Sequence, residues 1–310
     1  MFRRRAARMR ILVAGAGATG GFFGGRLAEA GRDVTFLVRE GRATVLAERG
    51  LRIRSPGGET RLTPRVITRV DRHYDLVVVA VKSYALDAVV AGLGAAIGPR
   101  TVVVPLLNGM RHVPTLITAF GVEHVWGGLC MIHATTDEHG DVVQMTGLAR
   151  LVCGPLDGGP DDRMDAVAAA IGEAGFDART SRHIRAEMWE KWVLLATLGA
   201  ATTLMRGSIG AINAAPGGPE VNRAIADEAI AVATAAGFPP RPQAREIVHT
   251  TIGSSEPTTS SLYRDLVAGR PVEGDAIVGD LVAEGRRHGV RTPLLAAAHT
   301  GLAVHSASVS

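Results

Sequence analysis

Apolar runs in the first half of the chain are short, continuous and separated by helical spacing. Ile11, Leu12 and Val13 run into a glycine-rich turn, residues 22–30 have helical periodicity, and residues 33–38 (DVTFLV) are apolar again. Residues 75–82 (DLVVVAVK) and 101–108 (TVVVPLLN) are further apolar runs bounded by polar residues, the pattern of parallel strands covered on both faces. Between Arg39 and these runs, Gly57-Gly58 divides two short alternating segments and predicts a hairpin. Strand patterns recur at 125–135, 142–145 and 148–153, residues 161–175 read as an Ala-rich helix, and strand patterning then stops. Beyond His183 the spacing is helical over 184–205, 220–236, 244–252, 259–268, 273–288 and 294–305. Pro216, Pro219, Pro239-Pro240, Pro257 and Pro293 punctuate these segments. Strands alternating with helices, followed by helices alone, predict an α/β chain. A Rossmann-type doubly wound sheet occupies residues 9–180, and an all-helical substrate and catalytic domain occupies 181–310.

The turn after the first strand reads Gly15-Ala16-Gly17-Ala18-Thr19-Gly20, a G-x-G-x-x-G between a strand and a helix. In a βαβ unit the first glycine allows the tight turn, the second lets backbone approach a pyrophosphate, and the third lets helix pack on strand. The anion then sits on the helix N-terminal amides. These six residues are the expected dinucleotide loop. At the end of the next strand an NAD-preferring site would place a carboxylate on the ribose 2′-hydroxyl, and this chain has Arg39, whose planar fork suits a 2′-phosphate. NADPH/NADP is therefore the expected cofactor, although Glu40 follows directly.

Composition narrows the class. A length of 310 residues suits two domains, and 46% hydrophobic with 4% aromatic content implies an Ala/Val/Leu/Gly interior. No apolar run approaches the ~18 residues of a membrane span. Cys130 and Cys153 are too few for a disulfide framework and lack metal-ligand spacing, so both are expected to be buried and inert, with no metal, in a reducing cytoplasmic setting. The net charge of +4 comes entirely from Arg3, Arg4, Arg5 and Arg8 in a basic leader, residues 1–8, that is expected to be disordered. The remainder is neutral, which argues against a nucleic-acid surface.

Of 34 basic residues, only Lys82 and Lys191 are lysine. A chain so biased toward Arg would have replaced an interchangeable Lys, and an ammonium donates a proton where a guanidinium does not. Lys82 closes one apolar run and Asn108 closes another, so both are expected beside the glycine loop at the carboxyl ends of the sheet. Lys191 falls within a helix.

Taken together, the glycine loop, Arg39, VAVKSY around Lys82, LNGM around Asn108, IRAEMWEKW around Lys191, SSLYRDLVAGRPVEGD over 260–275 and HGVRTP over 288–293 resemble the ketopantoate reductase family. The resemblance runs from Arg10 to the end of the chain. It implies reduction of 2-dehydropantoate (ketopantoate) to pantoate in pantothenate biosynthesis. Hydride passes from NADPH to the 2-keto carbon while Lys191 protonates the carbonyl oxygen and Glu273 orients lysine and substrate. It also implies that Asn108 helps hold nicotinamide and substrate, that Lys82 lines the cofactor crevice, and that Ser261 hydrogen-bonds the substrate.

The resemblance departs at one place. Four and eight residues after the lysine the family pattern carries Asn, and this chain has Leu195 and Gly199, with Thr197, Thr202 and Thr203 nearby. An alternative reading is a paralogue that reduces a less polar keto acid or ketone. A β-hydroxyacid dehydrogenase of related architecture and a non-catalytic NADP-binding protein are further alternatives, the last disfavoured by Lys191 and Glu273 together. The expected partner is a small-molecule keto acid. Pairing of the C-terminal helices in a homodimer is compatible with the pattern and not required by it.

Overall fold

The computed structural model describes residues 9–309; the basic leader lies outside the described residues. The chain divides into two compact units. One holds the chain up to Leu107 together with His112–Arg185, the other Asn108–Arg111 together with Ala186 to the end. The segment 108–111, expected with the dinucleotide domain, thus groups with the helices.

In the first unit, β1 (Arg10–Ala14), β2 (Asp33–Leu37), β5 (Arg65–Ile67), β6 (Tyr74–Val79) and β7 (Ile97–Pro105) form an all-parallel sheet in the order β5-β2-β1-β6-β7. The order reverses at β1, so the crevice at the carboxyl ends of β1 and β6 is the topological switch point. The central strands carry Ile11, Leu12, Val13, Val77, Val78 and Val79 with essentially no exposure, which is why they read as continuous apolar runs.

A second sheet was only partly legible. The Gly57-Gly58 hairpin is β3 (Leu51–Ser55) against β4 (Gly58–Leu62), and it joins β8 (Trp126–Thr136), β9 (Val142–Pro155) and β10 (Asp177–Thr180) in a mixed sheet. The two runs at 142–145 and 148–153 are one strand, held continuous by its antiparallel pairing with β8. Strand patterning also does not stop at 175. The short polar β10 adds to β9 in parallel.

Helix α1 (Ala18–Glu29) lies between the two sheets and explains its own composition. A Cβ at Gly24 would stand 2.7 Å from the Phe36 ring of the first sheet, and one at Gly25 2.5 Å from Ile53 of the second. Phe22 and Phe23 fill the space that the glycines leave. The opposite face of the parallel sheet is covered by α3 (Leu86–Gly92) and α4 (His112–Phe120), through Leu86, Leu93 and Leu116. Helix α2 (Glu40–Arg49) follows β2, and α5 (Met164–Ile171) is shorter than the expected 161–175.

The second unit is helical: α6 (Ile184–Leu204), α7 (Ile209–Asn213), α8 (Gly218–Ala235), α9 (Pro242–Ile252), α10 (Ser261–Val267), α11 (Asp280–Arg287) and α12 (Pro293–Ser308). A π-helical turn, Asp275–Gly279, precedes α11. The small residues Ala196, Ala200, Ala226, Ala229 and Ala233 let α6 and α8 sit deep in the core, and Trp189, Trp192, Leu262 and Leu281 complete it. Among the described residues no helix is long and apolar enough to cross a membrane.

Candidate active site

The glycine loop has the geometry its spacing predicts. Gly15 adopts φ +101°, and a Cβ there would stand 2.7 Å from the Ala80 carbonyl of the chain leaving β6. Gly20, in the first turn of α1, has no room for a side chain against the Gly15 carbonyl. A Cβ at Gly17 would meet nothing within 4 Å. The first and third glycines are therefore required by close packing, whereas the second borders open space. Helix α1 starts there with no side-chain cap and no acidic residue in its first turn. Unpaired amides and the positive end of the helix dipole suit an anion. Ala16 is buried, and Ala18 and Thr19 open the helix.

Arg39 is exposed and is the residue at which β2 turns into α2. Among the described residues no carboxylate pairs with its guanidinium, so the charge is available to a ligand. Glu40 starts α2 and is exposed. Arg42, one turn on, was not singled out by sequence. Its guanidinium is half-buried and donates to the Ala16 carbonyl of the glycine loop from Nε at 3.2 Å and Nη2 at 2.9 Å, and to the Gly140 carbonyl at 2.8 Å. Lys82 is exposed beyond β6 and caps a 3₁₀ turn, Ser83–Ala85, by its backbone.

In the second unit, Lys191 sits half-buried on α6 and donates from Nζ to Asn108 Oδ1 at 3.0 Å. Two contacts hold the Asn108 segment in place. Gly109 has φ +77° and lies too close to the Ala276 carbonyl of the π-helical turn for any side chain. Arg111 grips Asp280 with its Nε at 3.1 and 3.0 Å from the two carboxylate oxygens, a charge-assisted pair that pushes the arginine's pKa up. Glu187, one turn before Lys191, and Glu273, just before the π-helical turn, are both buried carboxylates. Glu187 is a second group that sequence did not single out, visible only as the acid four residues before the lysine in AEMWEK.

Ser260, not Ser261, caps α10. The Ser260 hydroxyl accepts from the Tyr263 amide at 2.9 Å and meets the buried Thr202 hydroxyl at 2.8 Å. Ser261 is exposed at the first position of the helix.

The space after Lys191 is apolar. Leu195 is partly buried one turn further along α6, and a Cβ at Gly199 would stand 2.8 Å from Leu262 Cδ1. Leu262 thus occupies the room a larger residue at 199 would need. Two of the threonines, Thr202 and Thr203, do not replace a lost amide. Thr202 and Thr203 donate to the Leu198 and Gly199 carbonyls of their own helix at 2.7 and 2.8 Å. Thr197 is fully buried, and among the described residues its hydroxyl has no partner. Cys130 and Cys153 are buried and not disulfide-bonded, and burial pushes Cys153 up to about 12. Among the described residues no cluster of His, Cys, Asp and Glu could hold a metal ion.

Comparison with known proteins defines the class that this fold and these groups belong to. Residues 11–158 match the family model described as ketopantoate reductase PanE/ApbA, and residues 183–304 match its C-terminal counterpart. An uncharacterized oxidoreductase of Bacillus subtilis, YkpB, is 34% identical over 96% of this chain and 99% of its own. A 2-dehydropantoate 2-reductase of Halobacterium salinarum is 31% identical over 93% of this chain and 95% of its own. D-mandelate dehydrogenase, solved with NADH and anilino(oxo)acetate, has the same fold, with a TM-score of 0.86 over 97% of this chain and 99% of its own at 22% identity. The chain is an oxidoreductase and belongs to the ketopantoate reductase family.

Proposed function

We propose that this chain reduces a 2-oxo acid to the corresponding 2-hydroxy acid with NADPH, and that the family's substrate, 2-dehydropantoate, is the first to test. The observation that carries the reaction type is the half-buried Lys191 ammonium held at 3.0 Å by Asn108 Oδ1. The bond fixes a proton donor in one orientation on a rigid helix, which general-acid catalysis requires.

A nicotinamide dinucleotide fits the first unit, since Gly17 leaves the pyrophosphate position open while Gly15 and Gly20 close around the loop. The structural neighbour of the same fold holds NADH. Preference for NADPH rests on this chain's Arg39, whose exposed fork is matched to a 2′-phosphate. Lys82, beyond β6 at the switch point, adds a second cation on that side of the sheet. The cofactor, when bound, supplies the hydride. Lys191 gives its proton to the carbonyl oxygen as negative charge develops there, so the products are the alcohol and the oxidised cofactor. Glu273 and Asn108 orient the lysine, and the Ser261 hydroxyl, left unused by helix capping, hydrogen-bonds the substrate.

A second reading is supported by a specific observation. Leu195, together with Leu262 packed over Gly199, lines the helix beyond Lys191 with hydrocarbon, and Thr202 and Thr203 are committed to helix carbonyls. A substrate hydroxyl set there without a partner would cost about 1–3 kcal/mol. That favours a 2-oxo acid with an apolar side chain.

NADPH oxidation measured with 2-dehydropantoate beside a panel of apolar 2-oxo acids tests both. Turnover of 2-dehydropantoate alone supports the first reading, and turnover of apolar acids alone the second. No turnover of any 2-oxo acid would remove the reaction type.

A further inference from the structure

We infer that Arg42 is a positioning residue for the cofactor, which turns the Gly17 amide of the glycine loop toward the pyrophosphate from behind. The inference rests on the dinucleotide reading of that loop. The Ala16 carbonyl and the Gly17 N–H belong to one trans peptide and therefore point in opposite directions. Arg42 holds the carbonyl side with two donors, Nε at 3.2 Å and Nη2 at 2.9 Å. Gly17 itself is exposed, and a Cβ there would meet nothing within 4 Å. Among the described residues no hydrogen bond engages the Gly17 N–H. Anchoring the carbonyl thus fixes the direction of an unused donor beside an exposed glycine at the start of α1. A charged donor on the carbonyl also polarises the peptide and strengthens its N–H toward an anion.

The anchor is itself built in. Arg42 Nη2 also bonds the Gly140 carbonyl at 2.8 Å. Gly140, at φ +79°, lies against the guanidinium so closely that a Cβ would displace Nη1. Gly140 is the tip of the β8–β9 connection, a turn fixed by Asp137, whose Oδ1 accepts from the His139 and Asp141 amides at 3.0 and 2.8 Å. Arg42 therefore ties a rigid hairpin turn to the dinucleotide loop. Its Nε and Nη2 are spent on backbone carbonyls, which separates it from Arg39: Arg42 serves any dinucleotide, Arg39 only a 2′-phosphate.

The test is the affinity of the purified full chain, wild type, Arg42→Gln and Arg42→Lys, for NADPH, NADH and adenosine 2′-monophosphate, which has no pyrophosphate. Arg42→Gln is expected to weaken NADPH and NADH by the same factor, about tenfold. Adenosine 2′-monophosphate is expected to bind as in the wild type. Arg42→Lys, which reaches a single carbonyl, should lose less. Loss confined to NADPH, unchanged affinity for both dinucleotides in a folded variant, or an equal loss of all three ligands would each overturn the proposal. If Arg42→Gln does not fold, the Arg42→Lys ratios decide by the same criteria. Failure of the wild type to bind either dinucleotide would instead sink the dinucleotide reading, and this inference with it.

Discussion

Lys191 Nζ lies 3.0 Å from Asn108 Oδ1, and the two side chains come from segments 83 residues apart in sequence. Asn108 is brought to the lysine by Gly109 against Ala276 and by Arg111 on Asp280. The pair is thus held from both sides: the lysine by the long helix α6, the amide by a loop pinned at Gly109 and Arg111.

With Lys191 as the proposed proton donor, Lys191→Ala is expected to lower kcat by about 10²–10⁴-fold while leaving NADPH affinity nearly unchanged, since the lysine lies outside the dinucleotide loop. Asn108→Ala should lower kcat less, through a lysine that is no longer oriented. Steady-state kinetics with a parallel cofactor titration would check this. Loss of NADPH binding in Lys191→Ala would show that the lysine holds the cofactor.

Arg39→Asp is expected to weaken NADPH by about 10–100-fold more than NADH, since it replaces a charge-assisted fork with a group that repels the 2′-phosphate. The readout is the ratio of KM or Kd values for the two cofactors. An equal loss of both would assign Arg39 to the fold and remove the case for NADPH.

What was legible in the sequence was what is local. The position of the glycine loop could be read because its spacing lies within one strand-turn-helix segment, even though the close approach at Gly15 is to the Ala80 carbonyl beyond β6, and the position of Arg39 because it follows the next strand. Lys191 stood out only because the chain otherwise uses Arg. The second sheet was less visible. The residues of β10, Asp177-Ala178-Arg179-Thr180, carry no apolar pattern and form a strand only through pairing with β9. Arg42 looks like an ordinary solvated helix residue until the fold brings Ala16 and Gly140 to it. The meaning of Gly199 likewise needed Leu262, a residue from another helix, to supply the reason a side chain is missing.

Gly199→Ala is expected to destabilise the protein by up to about 2 kcal/mol, the pressure of its Cβ on Leu262 inside a filled core outweighing the ~1 kcal/mol that Ala gains over Gly within a helix. The contact would be 2.8 Å from Leu262 Cδ1. In Leu262→Ala the same substitution should cost much less, since the space is then free. Chemical denaturation of the four proteins in a double-mutant cycle measures the coupling. Additive effects would mean that Leu262 does not occupy the space left at position 199.

Acid should release a specific anchor in the first unit. Asp161 accepts from Trp126 Nε1 at 3.1 Å and from Arg163 at 2.9 Å (Nε) and 2.6 Å (Nη2), with both members of the ion pair largely buried. Hydrogen bonding from Arg163 is the main reason that the Asp161 pKa falls from 3.8 to about 2. A carboxylate whose pKa is depressed on folding adds stability above its unfolded value, near 4, and loses it as the pH drops through the folded value. Wild type is therefore expected to exceed Asp161→Asn by about 2 kcal/mol at neutral pH. The gap should narrow from pH ~4 downward and close near pH ~2. Urea titrations of both proteins across that range would trace it. A gap that stayed constant with pH would mean that Asp161 acts through shape and hydrogen bonding alone, its charge contributing nothing.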